Sequence, residues 1–307
     1  MHAQAFDARF AAVAEGAGPL ERLAGGATWS EGPVWMREDG SVLWSDIPAN
    51  RMLRWHPCEG VSVWREPAAF TNGHVREADG SLLHCSHGLR AIVRTRFGPG
   101  GAVLGDEVVV SHYQGRRLNS PNDVVVKSDG TIWFTDPPYG ILSDREGQVA
   151  PSELGRCHVF RFDPRTQALR IASDFLEEPN GLAFSPDERV LYVTDTSAAL
   201  RTDGSGHHHI VAFDVLDGQD LERPRVFAEV EPGLADGIRV DVHGNVYSSS
   251  ADSVQVFHPD GTRIGRIAVP EKVGNLVFGG AGGDELYICA STSLYRIRLG
   301  TVGATAR

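Results

Sequence analysis

The feature that most constrains this chain is one short layout that occurs six times. A polar residue opens an apolar run, a turn follows, and a second apolar run ends in a small or acidic residue. The openings are Glu31-Gly32-Pro33, Asn72-Gly73-His74, Asn122-Asp123-Val124, Asn180-Gly181-Leu182, Asp236-Gly237-Ile238 and Asn275-Leu276-Val277, at intervals of 41, 50, 58, 56 and 39 residues. Self-similarity at that spacing marks a repeat architecture whose units bury their apolar faces on one another. Every opening residue is a carboxylate or a carboxamide. In a radially repeated fold, equivalent positions converge on the axis, so the repeat predicts a ring of oxygen donors at one mouth of a central channel.

Each unit reads as strands. In the third, Asn122 to Lys127 forms a strand, Ser128-Asp129-Gly130 a tight turn and Thr131 to Asp136 its partner. The other units turn at Asp39-Gly40, Asp79-Gly80, Ser185-Pro186-Asp187, His243-Gly244 and Gly282-Gly283. A third apolar stretch follows each hairpin, as at Arg51 to His56 and Leu294 to Leu299, and a fourth in most units, as at Val61 to Trp64 and Arg263 to Val269. Four-stranded units of this length fit propeller blades. The last unit has no fourth strand of its own, and Leu20-Glu21-Arg22-Leu23 can supply it. The expected fold is all-β: a six-bladed β-propeller whose N- and C-terminal strands share the closing blade. Residues 1–18 are expected as an N-terminal extension and 19–307 as one propeller domain. An open β-sandwich is the competing arrangement of the same strands.

Composition narrows the function. The 35 glycines among 307 residues exceed the usual share of roughly 7 %, as a turn-rich β protein requires. A net charge of −11 with no long basic run argues against nucleic acid and anionic membrane surfaces as partners. The first 18 residues lack the apolar core of a signal peptide, and no apolar run reaches the ~18 residues of a membrane span, so a cytoplasmic protein is expected. Cys58, Cys85, Cys157 and Cys289 show no metal or redox spacing and are expected as free thiols. The oligomeric state is open.

Oxygen-only donors select a hard cation. Glu31 and Asp236 would balance a divalent ion while Asn oxygens complete the shell, which fits Ca²⁺ better than Zn²⁺. Glu31-Gly32-Pro33-Val34-Trp35, Asn119-Ser120-Pro121-Asn122-Asp123-Val124, Pro179-Asn180-Gly181-Leu182-Ala183-Phe184 and Ala235-Asp236-Gly237-Ile238 resemble, as an ordered set, the signatures of the gluconolactonase, regucalcin (SMP-30) and luciferin-regenerating-enzyme-like family. The resemblance spans roughly Leu20 to Leu299. It implies a six-bladed propeller with one divalent cation, usually Ca²⁺ with Zn²⁺, Mn²⁺ or Mg²⁺ as substitutes, that hydrolyses small-molecule sugar lactones of the D-glucono-1,5-lactone type. By the same resemblance Glu31, Asn180 and Asp236 match metal ligands, and Asn122 matches a residue that ligates metal or contacts substrate.

Water needs a base to attack a lactone carbonyl, and Asp236 is the candidate, with Glu31 as the alternative. Asn72, His74, His87, Asn122 and Tyr139 are expected to contact substrate around the mouth. Ser30 is a poor nucleophile candidate, because Thr28-Trp29-Ser30-Glu31-Gly32 lacks the first glycine of a nucleophile elbow. His207-His208-His209 alternates faces as it enters a strand, so it is expected as surface and not as a metal site. The polar stretch 142–154 is expected as a long loop over the mouth or a surface excursion. Other lactones, organophosphate esters and a non-catalytic Ca²⁺-stabilised binding propeller stay open as alternatives.

Overall fold

The computed structural model describes residues 2–201 and 203–304. Six antiparallel sheets radiate from one axis, each running outward in sequence order from its innermost strand. Blade one contains Ser30–Met36, Ser41–Asp46, Arg51–His56 and Gly60–Arg65. Blade two begins with Thr71–Arg76 and Leu82–Ser86, blade three with Val124–Val126 and Ile132–Asp136, and blade four with Pro179–Phe184 and Val190–Asp195. Ile238–Val240 and Val246–Ser249 open blade five. Blade six has Val273–Gly279, Glu285–Ala290 and Ser293–Arg298, and Glu21–Ala24 pairs with the last of these as its outer strand. The ring therefore closes by strand exchange between the two ends of the chain, as expected.

Two strand pairings had no counterpart in the expected fold. Ala3–Ala5 pairs with Arg263–Ala268 and makes blade five five-stranded. Behind it Phe10 and Val13 are buried, and the Phe10 ring fills the space over Gly265, where a Cβ would stand 2.4 Å from the ring. A two-stranded hairpin, His112–Tyr113 with Arg116–Arg117, leads from blade two into blade three.

The core lies between blades. Trp133 and Val159 of blade three pack with Leu182, Leu191, Val193 and Phe213 of blade four, and Leu83 and Ile92 of blade two pack with Phe134 and Phe160 of blade three. Burying each such side chain contributes about 1.5–3 kcal/mol, so the interfaces that hold the blades together also fix the radial position of each inner strand. All four cysteines are free, with Cys85 and Cys289 buried.

Every inner strand enters the channel through the same irregularity. Two residues of the inner strand oppose one of its partner, a β-bulge that re-aims side chains at the mouth. It lies between the pairs Ser30↔Asp46 and Val34↔Leu43 in blade one, and between Thr71↔Ser86 and His74↔His84 in blade two. In blade four it lies between Pro179↔Asp195 and Leu182↔Val193. Blades three and five reach the same arrangement, with Thr135 N donating to Asp123 O and Ser249 N to Gly237 O. In phase, Glu31, Asn72, Asn122, Asn180 and Asp236 occupy one level of the channel.

Blade six departs from the expected ring. Val273 pairs with Ala290, Asn275 with Cys289 and Leu276 with Ile288, so the residue at the level of Glu31 is Gly274 and Asn275 sits one step further in. The ring thus has five side chains, not six. Asn275 shares its level with Gly32, Gly73, Asp123, Gly181 and Gly237. The glycines there are required by close approach: a Cβ on Gly32, where φ is +50°, would meet Asn72 O at 2.0 Å.

Candidate functional site

Backbone bonds tie the ring residues to one another across blades. Gly73 N donates to Asn122 O, Gly181 N to Asp236 O and Gly237 N to Gly274 O, at 2.8 to 3.1 Å. Ser45 Oγ donates to Asn72 O, Thr135 Oγ1 to Asn180 O and Thr194 Oγ1 to Asp236 O. The hydroxyl near the end of one blade's second strand therefore holds the carbonyl of the next blade's ring residue. That pattern positions the ring rigidly with no bond spent on its side chains.

The two ring carboxylates are in an unfavourable field. Burial pushes the Glu31 carboxyl well above its usual range and the Asp236 charge adds to this, while Gly32 N, 3.0 Å from Oε2, and the Asn275 amide oppose it. Burial likewise pushes Asp236 up to about 7; Lys272 opposes the shift, and Asp123 and Glu146 reinforce it. Asp236 is partly exposed to the channel and Glu31 is 4 % exposed. Like charges in low dielectric raise one another in this way, and a cation between them would relieve both. One level deeper, Asp123 is fully buried and its Oδ2 lies 3.2 Å from Arg239 Nη1 of blade five, an ion pair between side chains of non-adjacent blades.

The expected substrate contacts are placed as follows. His87 Nδ1 lies 2.9 Å from Glu146 O, and its Nε2 is 3.4 Å from Asn72 Nδ2. A carbonyl accepts only from N–H, so Nδ1 carries the proton, Nε2 accepts from Asn72, and Asn72 Oδ1 is left buried with no hydrogen-bond partner among the described residues. Burial holds His87 and His74 neutral, each pushed down to about 4. His74 Nδ1 is 2.5 Å from Gly32 O, which clamps blade two to blade one.

Tyr139 opens a short helix, Tyr139–Leu142, and its Oη is 2.5 Å from Thr196 Oγ1. Thr196 Oγ1 in turn accepts from Asn180 Nδ2 at 3.2 Å, leaving Asn180 Oδ1 as an acceptor. Asn122, 6 % exposed, makes no side-chain hydrogen bond among the described residues. Five ring side chains thus present two carboxylates and three carboxamide oxygens. Among the described residues no group of three or more His, Cys, Asp or Glu is poised for a metal ion; the donor set is mixed acid and amide, which suits a hard divalent ion and not zinc or copper.

Ser30 is fully buried and its Oγ has no hydrogen-bond partner among the described residues, so no base activates it. His207, His208 and His209 lie beside Glu177 and Glu231 at the surface, with the rings of His207 and His209 stacked at 4.6 Å. Among the described residues no helix is long and apolar enough to cross a membrane.

Residues 29–292 match the family model described as the SMP-30/gluconolactonase/LRE-like region. The chain belongs to that family. This SMP-30/gluconolactonase-type chain is 33 % identical to a gluconolactonase of Zymomonas mobilis subsp. mobilis, over 97 % of its own length and 86 % of the relative's. It is 31 % identical to the pentonolactonase XacC of Haloferax volcanii, over 84 % and 80 % of the two chains. Its fold superimposes on a gluconolactonase structure from Xanthomonas campestris with a TM-score of 0.87 at 39 % identity, covering 97 % of this chain and 95 % of that one.

Four residues near the site of this family member escaped the sequence reading. Thr196 follows the acid that ends its strand and was hidden by it. Arg239 is a cation inside the apolar run Ile238-Arg239-Val240, a signal that something acidic must face it. Asp123 is that acid. Lys272 lies 5.3 Å from the Trp29 ring centroid at the mouth, and its loop position carries no sequence signal.

Proposed function

We propose that this chain opens sugar lactones of the D-glucono-1,5-lactone type to aldonic acids with the help of one divalent cation, Ca²⁺ being the best fit. The chain is a lactone hydrolase by its family and by relatives named gluconolactonase and pentonolactonase. The observation that carries the metal reading is the pair of carboxylates, Glu31 and Asp236, both pushed up by burial, with Asp236 raising Glu31 further, at the level where three carboxamides also converge. Glu31, Asn122, Asn180 and Asp236 would hold the ion. When bound, it supplies Lewis-acid polarisation of the lactone carbonyl and lowers the cost of the oxyanion that forms on attack.

The chain's own residues supply the rest. Asp236 is the better base of the two acids, because it is partly exposed while Glu31 is enclosed and accepts from Gly32 N. It accepts a proton from the attacking water. Asn72 Oδ1, with no partner of its own, accepts from a sugar hydroxyl. His87 acts by orienting Asn72 and by pinning the 143–157 loop through Glu146 O, so it is a positioning residue. Tyr139 is tied to the ring residue Asn180 through Thr196.

The test is proton release from D-glucono-1,5-lactone at mildly acidic pH, corrected for spontaneous hydrolysis. Enzyme is stripped with chelator and resupplied with Ca²⁺, Mn²⁺, Mg²⁺ or Zn²⁺. Turnover that disappears on stripping and returns with one of these ions is the expected result; full turnover in stripped enzyme would overturn the metal reading.

A further inference from the structure

Among the described residues, blade six alone has no side chain at the ring level, and the space it leaves is filled. A Cβ on Gly274 would stand 2.5 Å from Glu31 Oε1 and 3.0 Å from Ser30 O, so the Glu31 carboxylate leans across the blade boundary into the place where a sixth ring side chain would be. Glutamate is one methylene longer than the aspartate at 236, and that extra reach needs the vacancy. The next residue completes the arrangement. Asn275 is 3 % exposed and its Oδ1 accepts from Leu276 N at 2.8 Å, which fixes the carboxamide with its NH₂ free to donate to Glu31. A Cβ on Gly237 would fall 2.2 Å from Asn275 Oδ1, so only a glycine on the neighbouring blade leaves room for the amide there.

We propose that Gly274 and Asn275 form a cradle that sets the position of the Glu31 carboxylate: the glycine by leaving room, the asparagine by donating one hydrogen bond. Both are positioning residues, and the proposal rests on the reading of Glu31 as a ligand of a divalent cation. Outer partners that orient a metal-binding carboxylate are worth roughly 10- to 100-fold in metal affinity. The cradle also explains why the apparent sixth anchor of the repeat falls one residue out of phase. Blade six contributes to the site by supporting a ligand from blade one, with no donor of its own.

The experiment is calorimetric titration with Mn²⁺ of the wild type and of Glu31→Gln, Asn275→Ala and Gly274→Ala, with circular dichroism to confirm folding. Metal-free urea melts of Gly274→Ala follow, alone and combined with Glu31→Ala. Asn275→Ala should weaken Mn²⁺ binding about tenfold or more, and Gly274→Ala should do the same. Gly274→Ala should also destabilise the metal-free protein, and that loss should disappear once Glu31 is truncated, which a general packing role of Gly274 would not produce. If Glu31→Gln abolishes binding while Asn275→Ala stays within about twofold of wild type, the cradle is wrong and the ligand reading stands. If Glu31→Gln binds like wild type, the ligand reading is wrong; the melts then judge the cradle alone, and an equal cost of Gly274→Ala with and without the Glu31 side chain overturns it.

Discussion

The two ends of the propeller use the same residue types to opposite effect. At the turn end, Asp39 accepts from Ser41 N and Oγ, Asp79 from Ser81 N, and Asp129 from Thr131 N and Oγ1. Although partial burial works against them, these donors hold all three carboxyls below their usual range. At the mouth, Glu31 and Asp236 have few donors and much burial, and both are pushed up. The turn acids are satisfied as anions by the local backbone. The mouth acids have few such donors. A recurring acid in a repeat protein therefore marks a site only where the fold withholds its donors.

The sharpest way to break this contrast is at the mouth. Asp236→Asn should lower kcat/KM by two orders of magnitude or more, about 3 kcal/mol of transition-state stabilisation, and should weaken divalent-ion binding measured by calorimetry. Unchanged turnover would remove Asp236 from the mechanism. The stability of that variant without metal should not fall, because a buried acid with too few donors is replaced by a neutral amide.

The second test uses a turn-end acid that is fully buried. Asp241 accepts from His243 N, Asn245 N, Asn245 Nδ2, Tyr247 Oη and Thr301 Oγ1. Asp241→Ala leaves those donors unpaired and should cost about 3 kcal/mol of stability in urea melts, with metal affinity unchanged. A loss of metal binding in a folded Asp241→Ala protein would show that the two ends are coupled.

The pH dependence of stability sharpens the contrast further. His74 and His87 are pushed down to about 4 and His84 to about 3, all by burial. A histidine depressed in the folded state is neutral there while the unfolded chain takes up a proton below about 6.5, so its contribution is complete above that pH and is lost as pH falls toward 4. Asp136, fully buried and pushed up to about 7, acts in the opposite sense: the unfolded carboxyl ionises first, and stability falls as pH rises from about 4 to 7. Chemical denaturation across pH 4–8 should therefore show His84→Gln flattening the acid limb and Asp136→Asn flattening the neutral limb. Identical profiles for wild type and both variants would contradict these burial effects.

The smallest expected effect is at the exposed turns. Asp39→Ala should cost about 1 kcal/mol, since the carboxylate itself is 45 % exposed, and should leave lactone turnover and metal affinity at wild-type values. A larger loss of activity would mean that the turn end communicates with the mouth.

Much of this was legible in the residues themselves. The alternation in Thr131 to Asp136, the Asp-Gly turns and the missing fourth strand after Leu299 were enough to lay out six blades and their closure, because strand periodicity and turn chemistry are local properties. The ring residues Glu31, Asn72, Asn122, Asn180 and Asp236 were legible too, since each opens its strand. The phase of the sixth blade was not. A β-bulge shifts register by one residue without any compositional mark when glycine occupies the extra position, so Asn275 looked like an anchor and Gly274 like a spacer. Nor could the sequence foretell that residues 3–5 would extend blade five, because Ala-Gln-Ala carries almost no strand signal and gains its place from the edge offered by Arg263–Ala268.

What the sequence determined by itself was the list of donors and the architecture that would gather them, because both follow from short-range pattern repeated at a fixed interval. What only the tertiary structure decided was which donors would be satisfied. Asp241 and Asp236 are both aspartates in one blade; Asp241 draws four of its five hydrogen bonds from His243, Asn245 and Tyr247 of its own hairpin and the fifth from Thr301, while the charges around Asp236 come from Lys272, Asp123 and Glu146, all remote along the chain. The surroundings of Asp236, unlike those of Asp241, are set by residues from other blades and loops, brought within charge–charge range by the packing between sheets. Chemistry in this protein depends on what the packing leaves unpaired.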